Sequence, residues 1–124
     1  MTNDETPKSK YQRDIYDRTY EFAIEVVKFT RLLPKSTEAN VFAKQLIRSV
    51  TSIAANLQEA DGSKTRAEFR HSVSISKKEA KETKLWLKMI FDLYPELSGR
   101  VNNYINECEE IIRILASIVI KTQK

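Results

Sequence analysis

The stretch from Phe42 to Leu87, FAKQLIRSVTSIAANLQEADGSKTRAEFRHSVSISKKEAKETKLWL, decides the fold of this chain. Apolar residues recur at alternating steps of three and four in both halves of the stretch, which is the spacing that places side chains on one face of an α-helix. Only the short segment 61–64, which contains a glycine, interrupts the pattern. The stretch therefore predicts two long amphipathic helices joined by one tight turn.

The same periodicity continues on both sides of this pair. Pro34 and Pro95 each end a helix, because proline lacks the amide hydrogen and disfavours helical backbone in the residue before it. Ser36 or Thr37 is expected to cap the second helix, and Thr65-Arg-Ala-Glu68 matches a capping box that opens the third. The predicted helices span residues 11–33, 37–60, 65–94 and 98–122, after a polar and mobile tail at 1–10.

Four helices with short connections predict an all-α fold, an antiparallel up-down-up-down four-helix bundle. A chain of 124 residues has room for one domain with one core. Its two glycines and three prolines leave little material for tight β-turns, which also favours long helices.

Several polar residues lie on or beside the core face of the second helix. Gln45, Ser49 and Asn56 are expected to bond to neighbouring helices or to backbone, because buried polar groups need partners. Arg48 and Glu59 lie too far apart along one helix to pair with each other. Each is expected to need a partner elsewhere, and another subunit is one place for it.

The apolar inventory exceeds what one bundle needs, and the surplus forms two bands. On the third helix a band lies about 120° from the core stripe, and on the fourth helix isoleucines form a second band. Exposed bands of this kind mark interfaces, so the sequence predicts self-association. The alternative is a broader core, with Trp86 folded under the first helix. The predicted oligomer-interface residues are Ile75, Trp86, Met89, Leu93, Ile111, Ile114 and Ile118.

The positive charge is concentrated on the third helix. The net charge is +4, and residues 65–95 hold seven basic against four acidic residues, an excess of three. Lysines on one side of a rigid helix suit phosphate contacts, which are electrostatic and independent of base sequence. The alternative interpretation is an ordinary solvated face. The row consists of Lys77, Lys81, Lys84 and Lys88, with Arg70, Lys64 and Arg66 as secondary contacts.

Residue types that would indicate an enzyme are not brought together by the pattern. Glu68 and His71 resemble half of a di-iron bundle motif, but the chain has one histidine and no matching inward glutamates. Nucleophile–base arrangements and glycine-rich phosphate loops are lacking. We therefore expect no catalytic residues, no metal site, no cofactor and no enzymatic activity.

Compartment is predicted from the cysteine content and the apolar segments. The single cysteine, Cys108, excludes an intramolecular disulfide and is expected to be a packed core thiol in a reducing compartment. No secretory segment follows Met1, and the apolar run 111–120 is too short to span a bilayer and contains Arg113. The expected location is the cytoplasm, without membrane contact.

Three groups of residues resemble a known family. They are Gln45-Leu-x-Arg-Ser49, Ser52-Ile-Ala-Ala-Asn-x-x-Glu59, and the run from Ser76 to Leu87 together with Phe69. The chain resembles the bacterial four-helix-bundle proteins encoded in intervening sequences of large-subunit ribosomal RNA genes, relatives of the retroelement accessory variability protein. The turn 58–63 departs from the family's usual Ala-Glu-Gly and basic residue, so any role of that turn does not carry over.

The resemblance implies a closed homo-oligomeric ring, commonly a pentamer, with a basic surface able to bind nucleic acid. Our leading hypothesis is a non-enzymatic ring that binds RNA or DNA phosphates without strong reading of base sequence. The alternative is a protein-interaction scaffold that docks a partner protein, such as a reverse-transcriptase-like enzyme. A metal-dependent enzyme is the weaker third option.

Overall fold

Four long helices make up the chain in its computed structural model, which describes the backbone of residues 10–123 and the side chains of residues 15–123. Within that range the chain forms no strand, so the all-α prediction is confirmed. The predicted tail at 1–10 lies almost wholly outside the described residues. The helices are α1 (Lys10–Phe29), α2 (Thr37–Asp61), α3 (Arg66–Leu93) and α4 (Ser98–Lys121).

The end of α1 differs in detail from the predicted boundary at residue 33. The α-helix stops at Phe29, and one 3₁₀ turn, Thr30–Leu32, completes the segment. Leu33 is extended, with φ −69° and ψ 149°. Pro34 explains both features, because its ring would clash with the carbonyl four residues earlier and it disfavours helical backbone in Leu33.

Local side-chain caps start the two central helices. Ser36 Oγ accepts a hydrogen bond of 3.2 Å from the amide of Ala39, which opens α2. Thr65 Oγ1 accepts one of 3.0 Å from the amide of Glu68, and this confirms the predicted cap of α3. These bonds satisfy amides that have no partner inside the helix.

Contacts between helices follow the order of the chain. α3 packs closely against both α2 and α4, α1 packs against α2, and the contact between α1 and α4 is the least extensive. Across α2 and α3, Ser76 contacts Ile53 and Thr83 contacts Ser49, so residue numbers fall along one helix as they rise along the other. The bundle is thus held mainly by α3, which lies between two neighbours.

The core is filled by the apolar face of every helix. Positions spaced by three and four along each helix are buried, as the periodicity predicted. The largest fully buried side chains include Ile15, Val26, Phe29, Leu46, Val50, Ile53, Leu57, Val73, Leu87, Ile90, Ile111 and Leu115.

Small hydroxyl residues replace apolar ones at three core positions between α2 and α3. Ser76 Oγ donates a hydrogen bond of 2.8 Å to the carbonyl oxygen of Ile53. Thr83 Oγ1 lies 2.8 Å from Ser49 Oγ. All three hydroxyl residues are fully buried. Because each hydroxyl has a partner, the desolvation cost of burying it is offset, and the bonds favour one register of α2 against α3.

Candidate nucleic-acid interface

The lysine row lies on the side of α3 that faces α4. Lys81 and Lys88 are exposed, and Lys77 and Lys84 are half-buried. Among the side chains that the structure describes, no carboxylate lies within ion-pairing distance of Lys77, Lys81 or Lys88. Uncompensated ammonium groups held on one rigid helix produce a local positive field.

A groove runs between α3 and α4 beside this row. Its volume is about 320 Å³, and it is lined by Lys81, Lys84, Leu85, Lys88 and Ile112. All three charged residues of the lining are lysines, and the other two are apolar. The groove therefore combines cationic and apolar side chains in its lining.

Lys84 differs from the other lysines of the row because it has a partner on α4. Its Nζ lies 3.1 Å from Oε2 of Glu109. Both side chains are partly exposed, 32% for Lys84 and 39% for Glu109. The sequence did not predict this ion pair, and it places one negative charge at the edge of the basic groove.

The three secondary basic residues fall at the other end of α3. Arg70 Nη1 donates a hydrogen bond of 2.6 Å to the carbonyl oxygen of Thr122, just beyond the end of α4. Arg70 therefore serves the structure by satisfying a helix-terminal carbonyl, a favourable place for a cation. Lys64 and Arg66 are exposed where α3 begins. At 1.5 Å per residue, Lys64 lies roughly 36 Å from Lys88 along the helix axis.

The predicted interface band of α3 is partly covered within the chain. Trp86 is half-buried and packs against Phe42 of α2, with ring centroids 6.1 Å apart. It lies against α2 and not under the first helix, as the alternative had placed it. Met89 and Leu93 remain 38% and 51% exposed, and Ile75 is half-buried.

The predicted interface band of α4 is wrong for two of its three residues. Ile111 is fully buried and Ile114 is 9% exposed, and both belong to the core of this chain. The cause is α1, which contacts this side of α4. The rings of Tyr104 and Phe29 pack edge-on there, with their centroids 5.3 Å apart. Glu107 also bonds Arg18 of α1, and Ile111 and Ile114 follow Glu107 by four and seven residues, so both isoleucines lie on the face of α4 that meets α1. Ile118 is half-buried against the same core.

Arg48 has the partner that was expected elsewhere, and this partner lies inside the chain and not on another subunit. Its Nη2 donates to Glu82 Oε2, and its Nη1 lies 3.2 Å from Oε1 of Glu79, both on α3. The Arg48 guanidinium holds the pKa of Glu82 below its ordinary value. The Glu79 oxygen is buried without a hydrogen bond of good geometry, although the ion-pair distance is short. Glu59 is exposed.

The other predicted structural polar residues find mostly local partners. Ser49 Oγ donates to the carbonyl oxygen of Leu46 at 3.3 Å and accepts from Thr83. Asn56 Nδ2 donates to the carbonyl oxygen of Ser52 at 2.8 Å, within its own helix. Gln45 is half-buried. Ser49 thus bonds both to a neighbouring helix and to backbone, and Asn56 bonds to backbone, as expected of this group.

Glu68 and His71, the two residues that resemble half of a di-iron motif, lie near the start of α3. Glu68 Oε1 accepts a hydrogen bond of 3.0 Å from the amide of Lys64, at the start of α3, and His71 is exposed. Among the described residues, no group of three or more histidine, cysteine, aspartate or glutamate side chains could hold a metal ion. Cys108 is fully buried, and its thiol donates to the carbonyl oxygen of Ala80 at 3.1 Å.

The family resemblance is decided by comparison with protein-family models. The model of the 23S rRNA-intervening sequence protein family matches residues 12–117, which is most of the chain. The chain belongs to this family. The predicted family membership is thereby confirmed, and it extends beyond α2 and α3 into α1 and α4.

A solved structure supports this assignment to the 23S rRNA-intervening sequence protein family. It is the crystal structure of a protein of unknown function from the S23 ribosomal protein family of Bacteroides thetaiotaomicron VPI-5482. The two chains are 32% identical, and their structures agree with a TM-score of 0.81. The match covers 88% of this chain and 97% of the other. The comparison with curated proteins gave no match.

The membrane prediction was tested on the described helices of this family member. None of α1 to α4 is both long and apolar enough to cross a bilayer.

Sequence reasoning missed the acidic partners of the basic residues. Glu79 and Glu82 share one face of α3 and could have been paired with Arg48 once α2 and α3 were placed side by side. Glu109 gave no such signal, because its approach to Lys84 depends on how α4 is rotated against α3. Leu85 and Ile112, the apolar residues of the groove lining, were also overlooked.

Proposed function

We propose that this member of the family is a non-enzymatic, oligomeric helical bundle that binds nucleic-acid phosphates through the lysine side of α3. The chain is an antiparallel up-down-up-down bundle in this proposal, and copies of it close into a ring. It acts in the cytoplasm, where its single thiol remains reduced.

The observation that carries the proposal is the groove between α3 and α4, whose charged lining residues are Lys81, Lys84 and Lys88. Lysine ammonium groups are point charges that bind phosphate without reading the bases. Lys81 and Lys88 are exposed, and no described carboxylate pairs with either. These groups are therefore available to an anionic ligand at no cost of breaking an internal ion pair.

The geometry of the row favours an extended polyanion over a small anion. Lys77 and Lys88 are separated by eleven residues, which is roughly 16 Å along the helix axis. One phosphate cannot reach both groups, but several successive phosphates of a nucleic-acid strand can. Arg70 is a weaker candidate for phosphate binding than the lysines of the row, because it already bonds the carbonyl oxygen of Thr122.

Self-association is supported by the outer face that α2 and α3 share. Met89 and Leu93 are exposed there, beside the half-buried Trp86 and the Arg48–Glu82 ion pair. An apolar patch next to partly desolvated charges is typical of protein interfaces. In a ring, this face would contact the next copy, and the lysine rows of several copies would add their fields. A pentamer is the size that the family resemblance implies.

The test of phosphate binding is a triple variant, Lys81→Gln, Lys84→Gln and Lys88→Gln, compared with a matched triple of exposed lysines elsewhere. Lys28, Lys35 and Lys44 provide that control, since they lie outside α3 and their replacement changes the net charge equally. Affinity for labelled single-stranded RNA and duplex DNA is measured by fluorescence anisotropy over a salt series.

We expect the α3 triple to bind roughly tenfold more weakly or worse, and the slope of log affinity against log salt to fall by about two to three. The control triple should bind much as the unmodified protein does, and light scattering should give the same mass for all three. Equal losses in both triples would show that only net charge matters. Unchanged binding by the α3 triple would show that these three lysines do not form the phosphate-binding site.

The second candidate function is a scaffold for a partner protein, and the apolar residues of the groove lining favour it. Leu85 is 48% exposed beside the lysines, a combination that fits an acidic amphipathic helix. In that case a Leu85→Gln variant loses the partner while its affinity for nucleic acid is unchanged. A gene for a reverse transcriptase next to this one would favour the same reading.

A further inference from the structure

Lys84 is set apart from its neighbours by Glu109. The two other groove lysines are exposed and have no described carboxylate partner, whereas Lys84 Nζ lies 3.1 Å from Glu109 Oε2. The lysine comes from α3 and the glutamate from α4, so the ion pair joins the two helices at a residue that lines the groove.

Glu109 is not required by the rest of the fold. Its neighbour Glu110 bonds Arg18 of α1, as does Glu107, so these two carboxylates join α4 to α1. Glu109 instead pairs with Lys84 of α3, and its side chain is 39% exposed. An exposed ion pair of this kind contributes little to stability.

A phosphate that approaches the groove meets two obstacles at this point. Lys84 must leave Glu109 before it can bind the phosphate with full strength, and the carboxylate repels the incoming anion. Like charges in close approach oppose binding and reduce the number of effective contacts, which the salt dependence reports.

We propose that Glu109 is an internal competitor of the anionic ligand, which occupies Lys84 and lowers the affinity of the groove for phosphate. The inference rests on the proposed function and adds an affinity-setting residue to it. The groove then binds phosphate through Lys81 and Lys88. Lys84 contributes only when the ligand displaces Glu109 from it.

The experiment compares Glu109→Gln with the matched control Glu110→Gln. Both variants change the net charge by one at adjacent positions of α4, but only the first frees Lys84. A third protein, Lys84→Gln, and the double variant Lys84→Gln/Glu109→Gln complete a cycle that isolates the coupling. The probe is a labelled polyuridine strand, and its affinity is measured by anisotropy between about 50 and 200 mM salt.

We expect Glu109→Gln to bind roughly three- to tenfold more tightly at the lowest salt, with a salt slope steeper by about one. Glu110→Gln should change affinity less than half as much on a logarithmic scale. In the Lys84→Gln background the gain from Glu109→Gln should largely vanish.

Two different results would overturn the inference. If the unmodified protein binds and Glu109→Gln gains no more than Glu110→Gln, the proposed function stands and the role of Glu109 falls. If neither the unmodified protein nor Glu109→Gln binds the probe at the lowest salt, the phosphate-binding function and the inference both fall. Unfolding of each variant by urea is measured alongside, so that a loss of fold is not mistaken for a loss of binding.

Discussion

Thr83 Oγ1 of α3 lies 2.8 Å from Ser49 Oγ of α2, and both side chains are completely buried. Thr83 also lies 2.9 Å from the carbonyl oxygen of Glu79, and Ser49 Oγ is 3.3 Å from that of Leu46. The pair is a small polar contact inside an otherwise apolar seam. It joins the two helices that carry the most distinctive part of the sequence.

Replacement of Thr83 by valine should reduce the free energy of unfolding by about 1 kcal/mol, because the shape is kept while a buried hydrogen bond is lost. Urea denaturation measures the change. Thr51→Val is the matched control: Thr51 is exposed and bonds the carbonyl oxygen of Ile47, so its effect should stay within about 0.5 kcal/mol. Equal effects of the two substitutions would show that the buried Thr83–Ser49 pair contributes no more to stability than the exposed hydroxyl of Thr51.

The outer face of α2 and α3 can be tested without damage to the core. Met89→Glu together with Leu93→Glu places two charges on side chains that are 38% and 51% exposed. If this face joins copies of the chain, the variant should have the mass of a smaller species by light scattering, because buried unpaired charges are costly. Ile120→Glu, at a position 64% exposed on α4, is the control and should leave the mass unchanged. An unaltered mass for the double variant would place the interface elsewhere.

Arg18 holds α1 against α4 through two carboxylates. Its Nη2 lies 2.7 Å from Glu107 Oε1 and also bonds Glu110, while its Nε donates to Glu107 Oε2 at 3.1 Å. Arg18→Gln should lower the free energy of unfolding by roughly 1 kcal/mol. Hydrogen exchange in α1 should accelerate more than in α3. The control is Arg31→Gln in the exposed 3₁₀ turn after α1, which should leave both readouts unchanged.

The pH dependence of the Arg18 contact follows from Glu110. Arg18 holds the pKa of Glu110 below its ordinary value of 4.5. A depressed pKa stabilises the fold at pH values above the unfolded pKa, and the contribution is lost as the pH falls through the folded value. The stability difference between the unmodified protein and Arg18→Gln should therefore shrink as the pH is lowered below 4.5. A difference that stays constant in acid would contradict this account.

Cys108 gives a second pH-dependent prediction, in alkali. Burial raises the pKa of its thiol from 9.0 to about 12. Above pH 9.0 the unfolded chain loses this proton while the folded chain keeps it, so stability falls as the pH rises from 9.0 to about 12. Cys108→Ala lacks this effect. The stability advantage of the unmodified protein over Cys108→Ala, measured by urea denaturation, should decrease through that window. A constant advantage would mean that the thiolate is not excluded from the fold.

The sequence alone determined the features that depend on neighbouring residues along the chain. Pro34 ends α1 and Ser36 and Thr65 cap the next two helices, because each acts on backbone groups within one helical turn. The core stripe of each helix was readable for the same reason, since a rise of 1.5 Å and 100° per residue is fixed by the helix itself. Family membership followed from the motifs of α2 and α3.

Only the tertiary structure decided which of those faces are covered and which charges are paired. Ile111 and Ile114 looked like an exposed band, yet α1 covers them. Arg70 and Lys84 looked available to a ligand, and Arg48 was expected to have a partner that the sequence did not identify. Each bonds a group on a neighbouring helix or just beyond its end. These contacts depend on how each helix is rotated and shifted against its neighbours. That arrangement is set by side-chain packing between helices, which the spacing along one helix does not specify.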